Sequence, residues 1–139
     1  MIRRFLISVI LASMVPPRIS SGYFAEQQEA KREKFIEEHH LEKVFLSCYL
    51  PTGNCTADGT VPYEGICSCN VEHLGMDCIM YDLHTLEPVE YWECRDIGGN
   101  VLLRQGKAID VFRTDYNGCL ELKAKYGDYV YIEWVERGK

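Results

Sequence analysis

The chain has 139 residues, room for one domain or two very small ones. Hydrophobic residues make up 47% and charged residues 26%, which excludes a disordered or low-complexity polymer. The formal charge of −6 argues against a protein that works by neutralising nucleic-acid phosphates, so no nucleic-acid partner is expected.

Residues 1–22 have the layout of a signal peptide. Arg3 and Arg4 form a short basic start, residues 5–15 are an apolar run, Pro16 and Pro17 end it, and Ser20, Ser21 and Gly22 supply small side chains for cleavage. At 1.5 Å per residue the apolar run covers about 16 Å, against a hydrocarbon core of about 30 Å, so it is too short for an anchor. No later run reaches eighteen apolar residues, so no membrane insertion is expected. The expectation is a secreted, extracellular protein whose cysteines meet an oxidising compartment. Export also makes Asn54, in Asn54-Cys55-Thr56, an acceptor for N-glycosylation.

Residues 23–46 are charged and read as a helix. Ala30, Phe35, Ile36, Leu41, Val44 and Phe45 recur at mixed steps along a loose stripe. His39 and His40 are adjacent and point about 100° apart on a helix, whereas zinc ligands on a helix sit four residues apart on one face. No metal site is expected there.

Residues 47–84 hold five of the seven cysteines, Cys48, Cys55, Cys67, Cys69 and Cys78, among turn-forming residues. With few large apolar side chains, this segment is expected to be held by disulfides instead of by a core of its own. Residues 85–139 read as strands at 89–94, 101–104, 108–114, 120–124 and 129–135, separated by turn residues such as Gly98-Gly99-Asn100 and Asn117-Gly118. Leu120, Leu122 and Ala124 alternate with polar neighbours, as do Val130, Ile132 and Trp134. The expected fold is α+β and mainly β: an N-terminal helix, a disulfide-rich loop region and a small antiparallel β-sandwich or meander.

The run from Cys67 through Cys69 and Gly75 to Cys78 resembles the C-terminal half of an EGF-like module, and Cys48, Gly53 and Cys55 resemble the second and third cysteines of that module. The resemblance covers residues 48–78. It implies Cys48–Cys67 and Cys69–Cys78 disulfides and leaves Cys55 without its usual partner. The calcium-binding pattern of the family is not matched, so no calcium is expected. Leu83 stands where growth-factor members carry a receptor-contacting leucine, but Asp77 replaces their arginine. Residues 100–136, with Thr114, Asp115, Asn117 and Gly118 followed by Tyr126, Gly127 and Tyr129, more weakly resemble the hairpins of transthyretin-like β-sandwiches.

Seven cysteines leave at least one unpaired within the chain. Cys94 and Cys119 are expected to cross-link the sheet. Cys55 is then a free thiol or half of a disulfide-linked homodimer; the alternative is a bond from Cys55 to Cys94 or Cys119. No catalytic motif is recognised, and no cofactor is expected. Tyr91, Trp92, Tyr129, Tyr131 and Trp134, with Leu83, are candidate binding residues because Tyr and Trp give large contact area with few rotors. Together these features suggest a non-catalytic protein that docks an extracellular protein or receptor. The alternatives are an EGF-like soluble ligand, and a small secreted hydrolase or inhibitor.

Overall fold

A computed structural model of the chain describes residues 17–137, so the apolar run at residues 5–15 lies outside the described residues. The chain divides into two compact units after His39. In the first, α1 spans Pro17–Glu38. Proline suits a first helical turn, and the Glu, Gln, Ala and Lys that follow are strong helix formers. Lys34 and Glu38, one turn apart, approach to 3.8 Å. The expected helix over residues 23–46 therefore ends early. His40 takes a left-handed φ of 51°, and the chain continues as β1, Glu42–Tyr49. Val44 and Leu46 are buried while Lys43 is exposed, so the apolar residues here follow a strand period.

The second unit is a closed six-stranded barrel. Its strands are β1, β2 (Ile66–Cys69), β3 (Asp77–Tyr81), β4 (Pro88–Ile97), β5 (Ala108–Phe112) and β6 (Tyr129–Val135), in the spatial order β1-β5-β2-β4-β3-β6. This replaces the expected antiparallel sandwich or meander. β1 runs parallel to β5 and β2 parallel to β4; the other neighbours are antiparallel. Parallel neighbours need long crossovers instead of hairpins, and closure removes exposed strand edges. The cysteine-rich segment contributes β2 and β3 to the same barrel, so it is not a separate loop region.

Two expected strands are helices. Asn100 accepts a hydrogen bond from the Leu102 amide at 2.7 Å and starts α2, Val101–Arg104. Asp115 accepts one from the Gly118 amide at 2.7 Å and starts α3, Tyr116–Tyr126. Both are N-caps, and the Asn117-Gly118 pair thus lies in a first helical turn, not in a hairpin. Leu122 is buried while Leu120 is 49% exposed, which breaks the alternation expected of a strand.

Val44, Leu46, Met80, Trp92, Ile109, Val111, Val130 and Ile132 fill the barrel. The chain thus has an apolar interior in addition to its cross-links. Disulfides join Cys48 of β1 to Cys119 of α3 and Cys69 of β2 to Cys94 of β4, with Cα separations of 5.7 and 6.3 Å. Cys55, Cys67 and Cys78 are thiols, the last two buried. The Cys48–Cys67, Cys69–Cys78 and Cys94–Cys119 pairings expected from the sequence are not formed. One reason is topological: β4 lies between β2 and β3, so Cys94 intervenes between Cys69 and Cys78. The two disulfides point to an oxidising compartment. Among the described residues no helix is long and apolar enough to cross a membrane.

Candidate functional site

Side chains alternate across a strand. On β5, Ile109 and Val111 point into the barrel, which turns Asp110 to the outer face. Ser47 of β1 and Ser68 of β2 are the register partners of Asp110 on its two sides. Ser68 is in turn the partner of Asp96 on β4. In that last pair the register slips by one residue after Cys67–Cys94, so Asp96, not Arg95, stands opposite Ser68. A bulge is the backbone device that re-aims a side chain in this way. The result is a polar row, Ser47, Asp110, Ser68 and Asp96, across four adjacent strands.

The row is held by specific contacts. The Ser47 hydroxyl donates to Asp110 Oδ1 at 3.0 Å and to the Ile109 carbonyl at 3.2 Å. Asp96 Oδ1 accepts from the Ala57 amide at 3.0 Å and from the Ile97 amide at 2.9 Å. Burial and, secondarily, the Asp96 charge push the Asp110 carboxyl up to about 6, against the pull of the Ser47 hydrogen bond. Tyr49, two residues beyond Ser47, is pushed up to about 12, chiefly by burial, against the pull of the nearby Ser68 hydroxyl, with smaller upward pushes from the Asp96 and Asp110 charges. Its hydroxyl is sealed from solvent with no hydrogen-bond partner of ordinary geometry among the described residues. The Tyr49 ring meets Phe112 edge-on at 5.4 Å.

Phe112 shares the outer face of β5 with Asp110. It also lines a mostly apolar pocket of about 290 Å³ with Pro51, Cys55, Val61, Pro62 and Thr114. Two residues of strand separate the two side chains, roughly 7 Å. The pocket therefore opens on the same side of the barrel as the carboxyl row. Its lip, the segment before β2, is fastened to β4. Arg95 pairs with Asp58 at 3.2 Å and with Glu93 at 2.6 Å, and its Nε donates to the Tyr63 hydroxyl at 3.1 Å.

The residues expected to bind do not assemble into one surface. Trp92 is buried in the core, with its indole N–H donating to Glu90 at 3.0 Å, so it presents no outer face. Tyr91, next to it, points outward and donates to the Asp77 carboxylate. Trp134 stacks on His73 at 4.1 Å. Tyr129 is 48% exposed and meets Phe45 edge-on, while Tyr131 and Leu83 are half-buried. Asn54 is exposed and lines the pocket beside the exposed Cys55 thiol. Among the described residues no three His, Cys, Asp or Glu side chains converge as a metal site would require.

Asp110, Asp96, Ser47, Ser68 and Tyr49 carry no sequence motif. One signal for Asp110 was present. A lone Asp between Ile109 and Val111 is a depleted residue type inside an otherwise apolar strand. The partners of that carboxyl come from register, which one strand does not show. Compared with protein-family models and with curated proteins, the chain matches none.

Proposed function

We propose that the protein is a small secreted hydrolase whose carboxyl row performs acid–base chemistry on a glycosidic bond of an extracellular polymer. The supporting observation is Asp110: a carboxyl on an outer strand face, raised to about 6, with a second carboxylate, Asp96, across Ser68 from it and with Phe112, two residues along the same strand, lining a pocket. Glycoside cleavage is the reaction class that a carboxylic acid and a neighbouring carboxylate can serve between them. Asp110 would be the general acid, protonating the leaving oxygen. Asp96, held by two backbone N–H groups, would be the carboxylate that activates water or steadies positive charge on the sugar. Ser47 orients the Asp110 carboxyl. Export by the N-terminal leader, with glycosylation at Asn54, belongs to the same proposal.

The test is release of reducing ends from a panel of polysaccharides with neutral, N-acetylated and acidic sugar units. Asp110→Asn should lower the rate by roughly 10²-fold or more. Because the acid must be protonated, wild-type activity should fall as pH rises through about 6. Activity that survives Asp110→Asn would refute the assignment.

A second possibility, a non-catalytic protein that docks an extracellular partner, is favoured by the apolar pocket alone. It predicts polysaccharide or protein binding that Phe112→Ala weakens and Asp110→Asn leaves intact.

A further inference from the structure

Asp58 lies outside the row, in the segment between β1 and β2, and does not touch Asp110. Its carboxylate nonetheless organises a tight turn over residues 56–60. The Thr56 hydroxyl donates to Asp58 Oδ1 at 2.6 Å, and the Thr60 amide donates to the same oxygen at 3.1 Å. The Thr60 amide also reaches the Thr56 hydroxyl at 3.1 Å, while the Thr56 amide donates to the Thr60 carbonyl at 2.8 Å. Gly59 supplies the left-handed φ of 85° that closes the turn. Arg95 of β4 clamps the other carboxylate oxygen, Oδ2, at 3.2 Å. These hydrogen bonds, led by the Thr56 hydroxyl, hold Asp58 at about 2, well below the usual carboxylate range. The carboxylate stays charged over the whole working range of pH.

Two backbone amides of the turn also reach β4. Ala57 presents its amide to Asp96 Oδ1. The Asp58 amide donates to the Arg95 carbonyl at 3.3 Å, so the turn is fastened to β4 at both Arg95 and Asp96.

We propose that Asp58 is a positioning residue for the carboxyl row: it folds the 56–60 turn so that the Ala57 amide fixes the Asp96 carboxylate beside Asp110. The inference rests on the acid–base assignment of the row and adds a residue that acts through Asp96. Without the turn, Asp96 loses a backbone donor and its fixed place, and water gains access to the row. Both changes relieve Asp110 in the same direction, so its titration midpoint should fall. The groups that face Asp110 in that titration are Asp96 of β4, Tyr49 and Ser47 of β1, and Ser68 of β2; Cys67 of β2, on the inner face, is coupled to it only through charge.

The experiment is a carboxyl ¹³C NMR titration of the disulfide-intact protein, with Asp110 assigned by its loss in Asp110→Asn. Asp58→Ala should lower the Asp110 midpoint by roughly half a unit or more. It should also speed hydrogen exchange at the Ala57 amide. Thr56→Val, which removes a hydroxyl without changing shape, should move both readouts the same way and serves if Asp58→Ala fails to fold. Asp58→Asn keeps an acceptor for the Thr60 amide and should shift Asp110 less than Asp58→Ala. A raised wild-type Asp110 that stays unmoved in folded Asp58→Ala and Thr56→Val overturns the role of Asp58 and leaves the acid–base site standing. An Asp110 that titrates as an ordinary carboxyl in the wild type overturns the site itself and the inference with it.

Discussion

Cys67 stands directly beside Cys94 in the β2–β4 register, yet the disulfide of Cys94 runs to Cys69. The Cys67 thiol is fully buried, and burial pushes it far above the range in which a thiolate forms. Cys78, on β3, is sealed in the same interior and is raised for the same reason. Only Cys55 of the three thiols reaches solvent.

A thiol count therefore separates this pairing from the one that an EGF-like module implies. The folded protein should react with one equivalent of an aromatic disulfide reagent quickly, at Cys55. Two more should react only after denaturation without reductant. Peptide mapping should recover Cys48 joined to Cys119 and Cys69 joined to Cys94. A single reactive thiol in denaturant would contradict the structure.

The Cys48–Cys119 bond spans 71 residues and fastens α3 to β1. In the loop-entropy account it restricts the unfolded chain by about 4 kcal/mol. Replacing both cysteines by alanine should lower stability by roughly that amount in urea denaturation. The Cys69–Cys94 bond closes a separation of 25 and should be worth slightly less, about 3 kcal/mol. The interior of Trp92, Ile109, Val111 and Ile132 remains in either variant, so each should still fold under mild conditions. Complete loss of structure in both would mean the core contributes little.

Asp110 makes stability depend on pH. Its folded-state value, about 6, lies above the unfolded carboxyl value near 3.9, so the native state favours its protonated form. That contribution is fully present below about pH 4 and is lost as pH rises through about 6. The shift corresponds to roughly 2 to 3 kcal/mol across that window. Asp110→Asn, which carries no charge, should lack this term and should be more stable than wild type at pH 7. The difference between the two proteins should shrink toward pH 4. A variant that is less stable at pH 7 would contradict the burial of this carboxyl.

Gly98 connects the end of β4, two residues after Asp96, to α2. A Cβ at this position would run into the Leu103 side chain, which is buried against it. Gly98→Ala should destabilise the barrel by about 1 to 3 kcal/mol through this overlap, read as a lower urea midpoint. Combining it with Leu103→Ala should recover part of the loss, because the second change vacates the space the first one fills.

Local pattern was legible where the chain obeys a local rule. The expected strands at 89–94 and 129–135 lie within or coincide with β4 and β6, and the one at 108–114 covers β5 and runs two residues past its end, because alternation and β-branched content act residue by residue. Residues 101–104 and 120–124 went the other way. Their alternation was outweighed by the Asn100 and Asp115 caps and by the need to join strands that are not neighbours: α2 leads from β4 to β5 past β2, and α3 from β5 to β6 past β1. The candidate site was legible only at Asp110, as a polar residue in an apolar strand; its partners Ser47, Ser68 and Asp96 lie far from it along the chain.

By itself, the order of residues determined that a helix lies within residues 23–46, where 23–38 are helical, and that an odd cysteine number leaves a thiol over. These follow from local side-chain pattern and arithmetic. Tertiary structure alone decided which cysteines meet, that the sheet closes into a barrel, and that one slipped register brings Asp96 into line with Asp110. Those are properties of strand pairing between distant segments, and the free energy that selects one pairing is spread over the whole closed sheet.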